Sequence, residues 1–155
     1  MRVYLRNIFS ICLLTSVFCF SSCKKDEPVP VPPVYSEVPE ISFVSVSPTT
    51  VSAYGEPLTF TISYQDGDGD LGENSSNARN LYLTDNRFGI TYPFRISQLA
   101  PSSSSIIIEG ELRIILDNAG ITGTVPQSAT FSIYVVDRAG HTSNTVTTSA
   151  ITVNP

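Results

Sequence analysis

Apolar residues recurring at every second position constrain this chain more than any other feature. In "LTFTISYQ", Leu58, Phe60, Ile62 and Tyr64 fall on one side, and Thr59, Thr61, Ser63 and Gln65 on the other. In "TYPFRI", Tyr92, Phe94 and Ile96 alternate with Pro93 and Arg95. In "ATFSIYVVD", Phe131, Ile133 and Val135 alternate with Thr130, Ser132 and Tyr134. Successive side chains of a strand point to opposite faces, so this spacing predicts strands with one face buried against a partner sheet. Ile106, Ile108, Leu112, Ile114 and Leu116 share one face of a longer run, in which Gly110 is a gap that can kink the strand. The best helical candidate, "LRIILDNAGI", is rich in β-branched isoleucine, which argues against a helix.

Turn chemistry separates the runs, at "SPTT", "SAYGEP", "DNRFG", "DNAGITG" and "DRAGH". The expected strands are Ile41–Ser47, Leu58–Gln65, Asn80–Asp85, Ile90–Ile96, Ile106–Leu116, Thr130–Val136 and Thr145–Val153. Pro93 cannot donate to a ladder, which predicts an edge strand or a bulge. The last run loses its alternation near Ser149 and Ala150, where a bulge is expected. About seven short strands divided in this way predict an all-β fold, an antiparallel sandwich of two sheets.

The N-terminal segment carries an address instead of a fold. Arg2 and Arg6 precede an apolar run of thirteen residues, Ile8 to Phe20. That is too short to span roughly 30 Å of hydrocarbon, for which about 20 residues are needed, and it suits a signal-peptide core. "FSSCKKDEP" follows, and here the segment resembles a bacterial lipoprotein signal, although Phe20 stands where a leucine is usual. The resemblance implies a signal peptide over 1–22 and acylation of Cys23. Cys12 and Cys19 leave with the signal, so Cys23 has no disulfide partner. Lys24, Lys25, Asp26 and Glu27 resemble the charged export signal of surface-displayed Bacteroidetes lipoproteins. The expected location is the outer membrane, lipid-anchored and facing the cell surface, with the periplasmic face as the alternative.

"PVPVPPVYSEVP", Pro28 to Pro39, is rich in residues that fix φ and withhold donors. It predicts an extended tether, so that 23–39 comprises the lipidated cysteine and a spacer of roughly 35–40 Å. The remaining 40–155 is one domain by size. Within it, "YVVDRAGHTSNTV" resembles the final hairpin of bacterial immunoglobulin-like and cadherin-like domains. Together with "SYQDGDGDLG" it is similar to small Bacteroidetes lipoproteins of unassigned function. The resemblance implies that the sandwich is immunoglobulin-like.

"YQDGDGDLGENSSN" concentrates charge in a manner that calls for a reason. Asp66, Asp68 and Asp70 alternate with glycine, and in a tight loop each pair repels by about 1 kcal/mol at 4 Å in water. A calcium ion removes that repulsion, taking six to eight oxygens at 2.3–2.6 Å. The spacing matches the first three ligand positions of an EF-hand. Leu71 and Asn77 then replace that motif's glycine and glutamate, so the loop needs a ligand from elsewhere. In an immunoglobulin-like sandwich the loop after the second strand and the loop before the last share one end. Asp137 and Asn144 are therefore expected to complete a Ca²⁺ site with Asp66, Asp68 and Asp70, and Asp85 to lie at the other end.

Catalysis finds little support. His141 is the only histidine, in a short turn with Asp137 and Ser143, too close in sequence for a nucleophile, base and orienting carboxylate. Glu109 and Glu111 share a strand face as a solvated pair, and the chain has no tryptophan for stacking on sugars. Hydrolase activity is thus a remote alternative, and the expected role is a non-catalytic binding or accessory module. Its expected partners are the membrane, through the N-terminal lipid, and a surface glycan or outer-membrane protein. A structural subunit of an outer-membrane assembly is the alternative, and Tyr82, Phe88, Tyr92 and Tyr134 are the aromatics to examine for binding. Nine basic residues less Arg2 and Arg6 leave seven against fourteen acidic ones, which argues against nucleic acid.

Overall fold

The computed structural model describes residues 34–155; the expected signal peptide over 1–22, the lipidation site Cys23 and the tether as far as Pro33 lie outside the described residues. The described part is all-β, without helices. Its strands are β1 (Glu40–Ser47), β2 (Thr50–Ser52), β3 (Leu58–Asp66), β4 (Leu81–Asp85) and β5 (Ile90–Phe94), followed by β6 (Ile108–Leu116), β7 (Gln127–Ala129), β8 (Phe131–Val135), β9 (Val146–Thr147) and β10 (Ile151–Asn154).

Two antiparallel sheets run in the orders β1-β3-β6 and β5-β4-β8-β9. A third, β2-β10-β7, contains the one parallel pairing among the described strands, between β2 and β10. Leu58, Phe60 and Ile62 of β3 and Phe131, Ile133 and Val135 of β8 are fully buried in one core. The Phe60 and Phe131 rings meet edge to face with centroids 4.9 Å apart, a geometry that ring quadrupoles favour. Alternation in the sequence thus becomes two sheet faces packed against one another.

Several expected boundaries shift, each for a local reason. Gly110 does not kink its strand: β6 pairs β3 without interruption from Ile108 to Leu116. Its register partner Tyr64 lays a ring over the glycine, where an added Cβ would stand 3.0 Å from the tyrosine oxygen. Ile106 leaves the buried face assigned to it, being 49% exposed ahead of β6. The expected strand ending at Ile96 stops at Phe94, because the Asn80 side chain takes over there. Its Oδ1 accepts from Ile96 N–H at 2.6 Å and its Nδ2 donates to Ile96 O at 3.2 Å. Pro93 lies on β5, an edge strand, as its missing N–H requires.

The last expected strand is divided into β9 and β10. Between them Thr148 is buried, and its Oγ1 accepts from Phe131 N–H at 3.0 Å while its own N–H donates to Phe131 O at 2.9 Å. The interruption coincides with the loss of alternation at Ser149 and Ala150. β2 and β7, of three residues each, are the strands that alternation does not reveal.

Candidate metal centre

β3 ends at Asp66, and the chain turns through Gly67–Gly72 before β4. Gly69 and Gly72 have φ of +75° and +88°, values that a side chain strongly disfavours. The resulting loop folds back on itself. Asp66 Oδ2 accepts from Leu71 N–H at 2.8 Å, and Leu71 is fully buried beneath it. One carboxylate oxygen from each of Asp66, Asp68 and Asp70 lies within 4.8 Å of the other two.

The turn between β8 and β9 meets this loop. Asp70 O accepts from Arg138 N–H at 3.4 Å, and Asp70 Oδ2 accepts from Ala139 N–H at 2.9 Å. The Arg138 guanidinium comes close but serves the loop's carbonyls, donating to Gly72 O at 2.7 Å and to Gly69 O at 3.4 Å. Asp66 is fully buried, and the Oδ1 atoms of Asp66, Asp68 and Asp70 are buried with no hydrogen-bond partner. Buried polar atoms are nearly always paired, and an unpaired charged one is expensive.

The opposite pole shows what a satisfied carboxylate looks like. Asp85 is buried as well, but Arg87 Nη2 donates to its Oδ2 at 2.6 Å and Arg87 Nε to its Oδ1 at 3.0 Å. Asp85 pairs with Phe131, at the far end of β8 from Asp137, so it takes no part in the aspartate cluster.

Electrostatics follow from the crowding. Burial pushes the Asp66 carboxyl up to about 6, with the charges of Asp68 and Asp70 acting in the same sense and the Leu71 N–H opposing them. Asp70 is also raised, by burial first and then by the charges of Asp137 and Asp68. His141 is raised by its hydrogen bond to Asp137. An arrangement that resists deprotonation when bare is one that a hard cation would relieve.

The five expected ligands separate into three groups. Asp66, Asp68 and Asp70 form the cluster. Asp137 stands close enough to raise Asp70, but both its oxygens accept from His141, Oδ1 from the backbone N–H at 2.8 Å and Oδ2 facing Nδ1 at 2.9 Å. It closes the turn that delivers Ala139. Asn144 sits against β1: its Oδ1 accepts from Ile41 N–H and its Nδ2 donates to Ile41 O, both at 2.8 Å. That amide acts as a piece of backbone for β1, as Asn80 does for Ile96.

Sequence reasoning did not anticipate Leu71 or Ala139, which hold the loop through backbone N–H groups and leave no mark in residue type, nor Arg138, whose guanidinium joins Gly72 O and Gly69 O. His141 and Ser143 do not form a nucleophilic pair. Ser143 Oγ accepts from Val135 N–H at 3.0 Å and donates to Asn144 O at 2.7 Å. The aromatics divide too. Tyr82 and Tyr134 stack on each other at 4.8 Å on the outer side of their sheet. Phe88, Tyr92, Tyr54 and Ile90 line a cleft of about 360 Å³ beside the Asp85 turn. No protein-family model, curated protein or solved structure matches the chain.

Proposed function

We propose that the domain is an immunoglobulin-like sandwich on an outer-membrane lipid anchor, acting as a non-catalytic binding or accessory module whose loop pole is held together by Ca²⁺. The sheet orders β1-β3-β6 and β5-β4-β8-β9, with β2 crossing to pair β10, support the fold reading. The observation that carries the calcium reading is the buried, unpartnered Oδ1 of Asp66 beside those of Asp68 and Asp70. Oxygens on opposite sides of one calcium ion stand about 5 Å apart, since each bond is 2.3–2.6 Å. The spacing within the cluster is compatible with a single shared ion. Water and backbone carbonyls supply the remaining ligands, as is usual for this cation.

The anchor and the surface location rest on the lipoprotein-like "FSSCKKDEP" with Cys23 at its centre. A binding role is favoured over a purely structural one by the aromatic cleft of Tyr54, Phe88 and Tyr92, whose volume lies at the small end of the range for ligand sites. The calcium reading is tested by titrating Ca²⁺ into the full chain in detergent, in a calorimeter, alongside Asp68→Ala. Wild type is expected to bind with an affinity of about 10⁻⁴–10⁻³ M, the range of extracellular modules. The variant is expected to give no binding heat. Absence of heat from wild type would end the reading.

A further inference from the structure

The aspartate loop also holds the segment that leads into the domain. Gly67, between two of the carboxylates, donates its N–H to Ser36 O at 2.9 Å. A Cβ at Gly67 would collide with that same carbonyl oxygen, so the approach requires glycine there. Ser36 Oγ accepts from Val38 N–H at 3.0 Å, and Pro39 is buried just before β1. The contact at Ser36 is therefore continuous with the start of the sheet.

We propose that cation occupancy of the aspartate loop fastens Tyr35–Ser36 to the domain, so that the junction with the proline-rich stretch is set by calcium. The inference rests on the calcium reading above. Asp66 and Asp70 are each tied at Oδ2 to a backbone N–H, from Leu71 and from Ala139. Asp68 has no such tie, and its buried Oδ1 is unpartnered. Without a cation, repulsion within the cluster is relieved most easily by moving Asp68, and with it the Gly67 peptide that presents an N–H to Ser36. With a cation, Asp68 is held and that N–H stays in place. An ion that binds the closed loop alone lowers the open population by about tenfold at ten times its dissociation constant.

Chymotrypsin reads this directly, because the bond after Tyr35 is a substrate once the segment is released. The full chain in detergent is digested with Ca²⁺ at ten times the calorimetric dissociation constant and, separately, with chelator. Mass spectrometry then follows the product that begins at Ser36. The expected result is cleavage after Tyr35 slowed about tenfold by calcium. Cleavage after Tyr54, 69% exposed among the turns beside the Asp85 pole, should not change. Gly67→Ala, which keeps every carboxylate but cannot dock against Ser36, is expected to be cut after Tyr35 at one rate with or without calcium and, because coupling is reciprocal, to bind calcium about tenfold more weakly. Calcium binding to wild type with no slowing after Tyr35 overturns the coupling and leaves the calcium site standing. Equal slowing after Tyr35 and Tyr54 overturns it as well, since general stabilisation then explains both. Absence of any binding heat removes the coupling together with the site.

Discussion

The backbone N–H of Ala139 donates to Asp70 Oδ2 at 2.9 Å, joining residues 69 apart in sequence. That contact brings the loop after β3 and the turn after β8 to one pole of the domain. It also fixes the last of three crowded carboxylates, each of which keeps a buried oxygen with no donor among the described residues. The proposed role of calcium follows from this juxtaposition, and so do most of the outcomes below.

Asp66→Asn tests the crowding itself. The amide keeps an oxygen for Leu71 N–H while removing one charge from a cluster in which each close pair costs about 1 kcal/mol even in water. Without calcium the variant is expected to melt higher than wild type. With calcium it should gain far less than wild type does. Paired thermal melts in chelator and in calcium check both signs.

The raised carboxyls give a pH dependence whose sign is fixed. Asp66 at about 6, above its ordinary value of 3.8, contributes stability fully present below pH 3.8 and lost as pH rises through about 6. Asp70 and His141, both raised, act in the same direction. The calcium-free protein is therefore expected to lose stability between about pH 4 and pH 7. Calcium competes with protons for the same oxygens, so its stabilising effect should grow over that interval. Urea unfolding at several pH values, with and without calcium, separates the two trends.

Asn144→Ala distinguishes a ligand from a clamp. Loss of both hydrogen bonds to Ile41 leaves an N–H and a carbonyl without partners, at about 1–3 kcal/mol. Calcium affinity, measured by calorimetry, should be unchanged. A large loss of affinity would return Asn144 to the metal site.

Arg87→Ala acts at the other pole. Removing the partner of the buried Asp85 carboxylate is expected to cost about 3–5 kcal/mol, and the double variant with Asp85→Ala less than that. Calcium binding should survive in both. Chemical denaturation of the single and double variants measures the coupling.

The buried halves of β3 and β8 were legible in the sequence because Leu58, Phe60, Ile62, Phe131, Ile133 and Val135 follow strict alternation, and each of them is fully buried. β2 and β7 were not, since three residues carry too little periodicity and β2 finds its partner a hundred positions away in β10. The acidic loop was legible through its spacing alone, and its approach to the Asp137 turn was implied by the resemblance to immunoglobulin-like domains, in which those two loops share an end. The hold of Asn144 on Ile41 was not legible, because asparagine serves equally as a cation ligand and as a substitute for backbone, and residue type does not say which. Leu71 and Ala139 contribute N–H groups that every residue but proline possesses. Their role belongs to the geometry and leaves no signature in the sequence.

Anomalous diffraction from crystals grown with calcium tests the central claim most directly. The expected result is a single peak 2.3–2.6 Å from an oxygen of each of Asp66, Asp68 and Asp70. Ala139 N–H should still donate to Asp70 in that crystal. Full occupancy of the crystallisation medium by calcium with no peak between those three carboxylates would contradict the account.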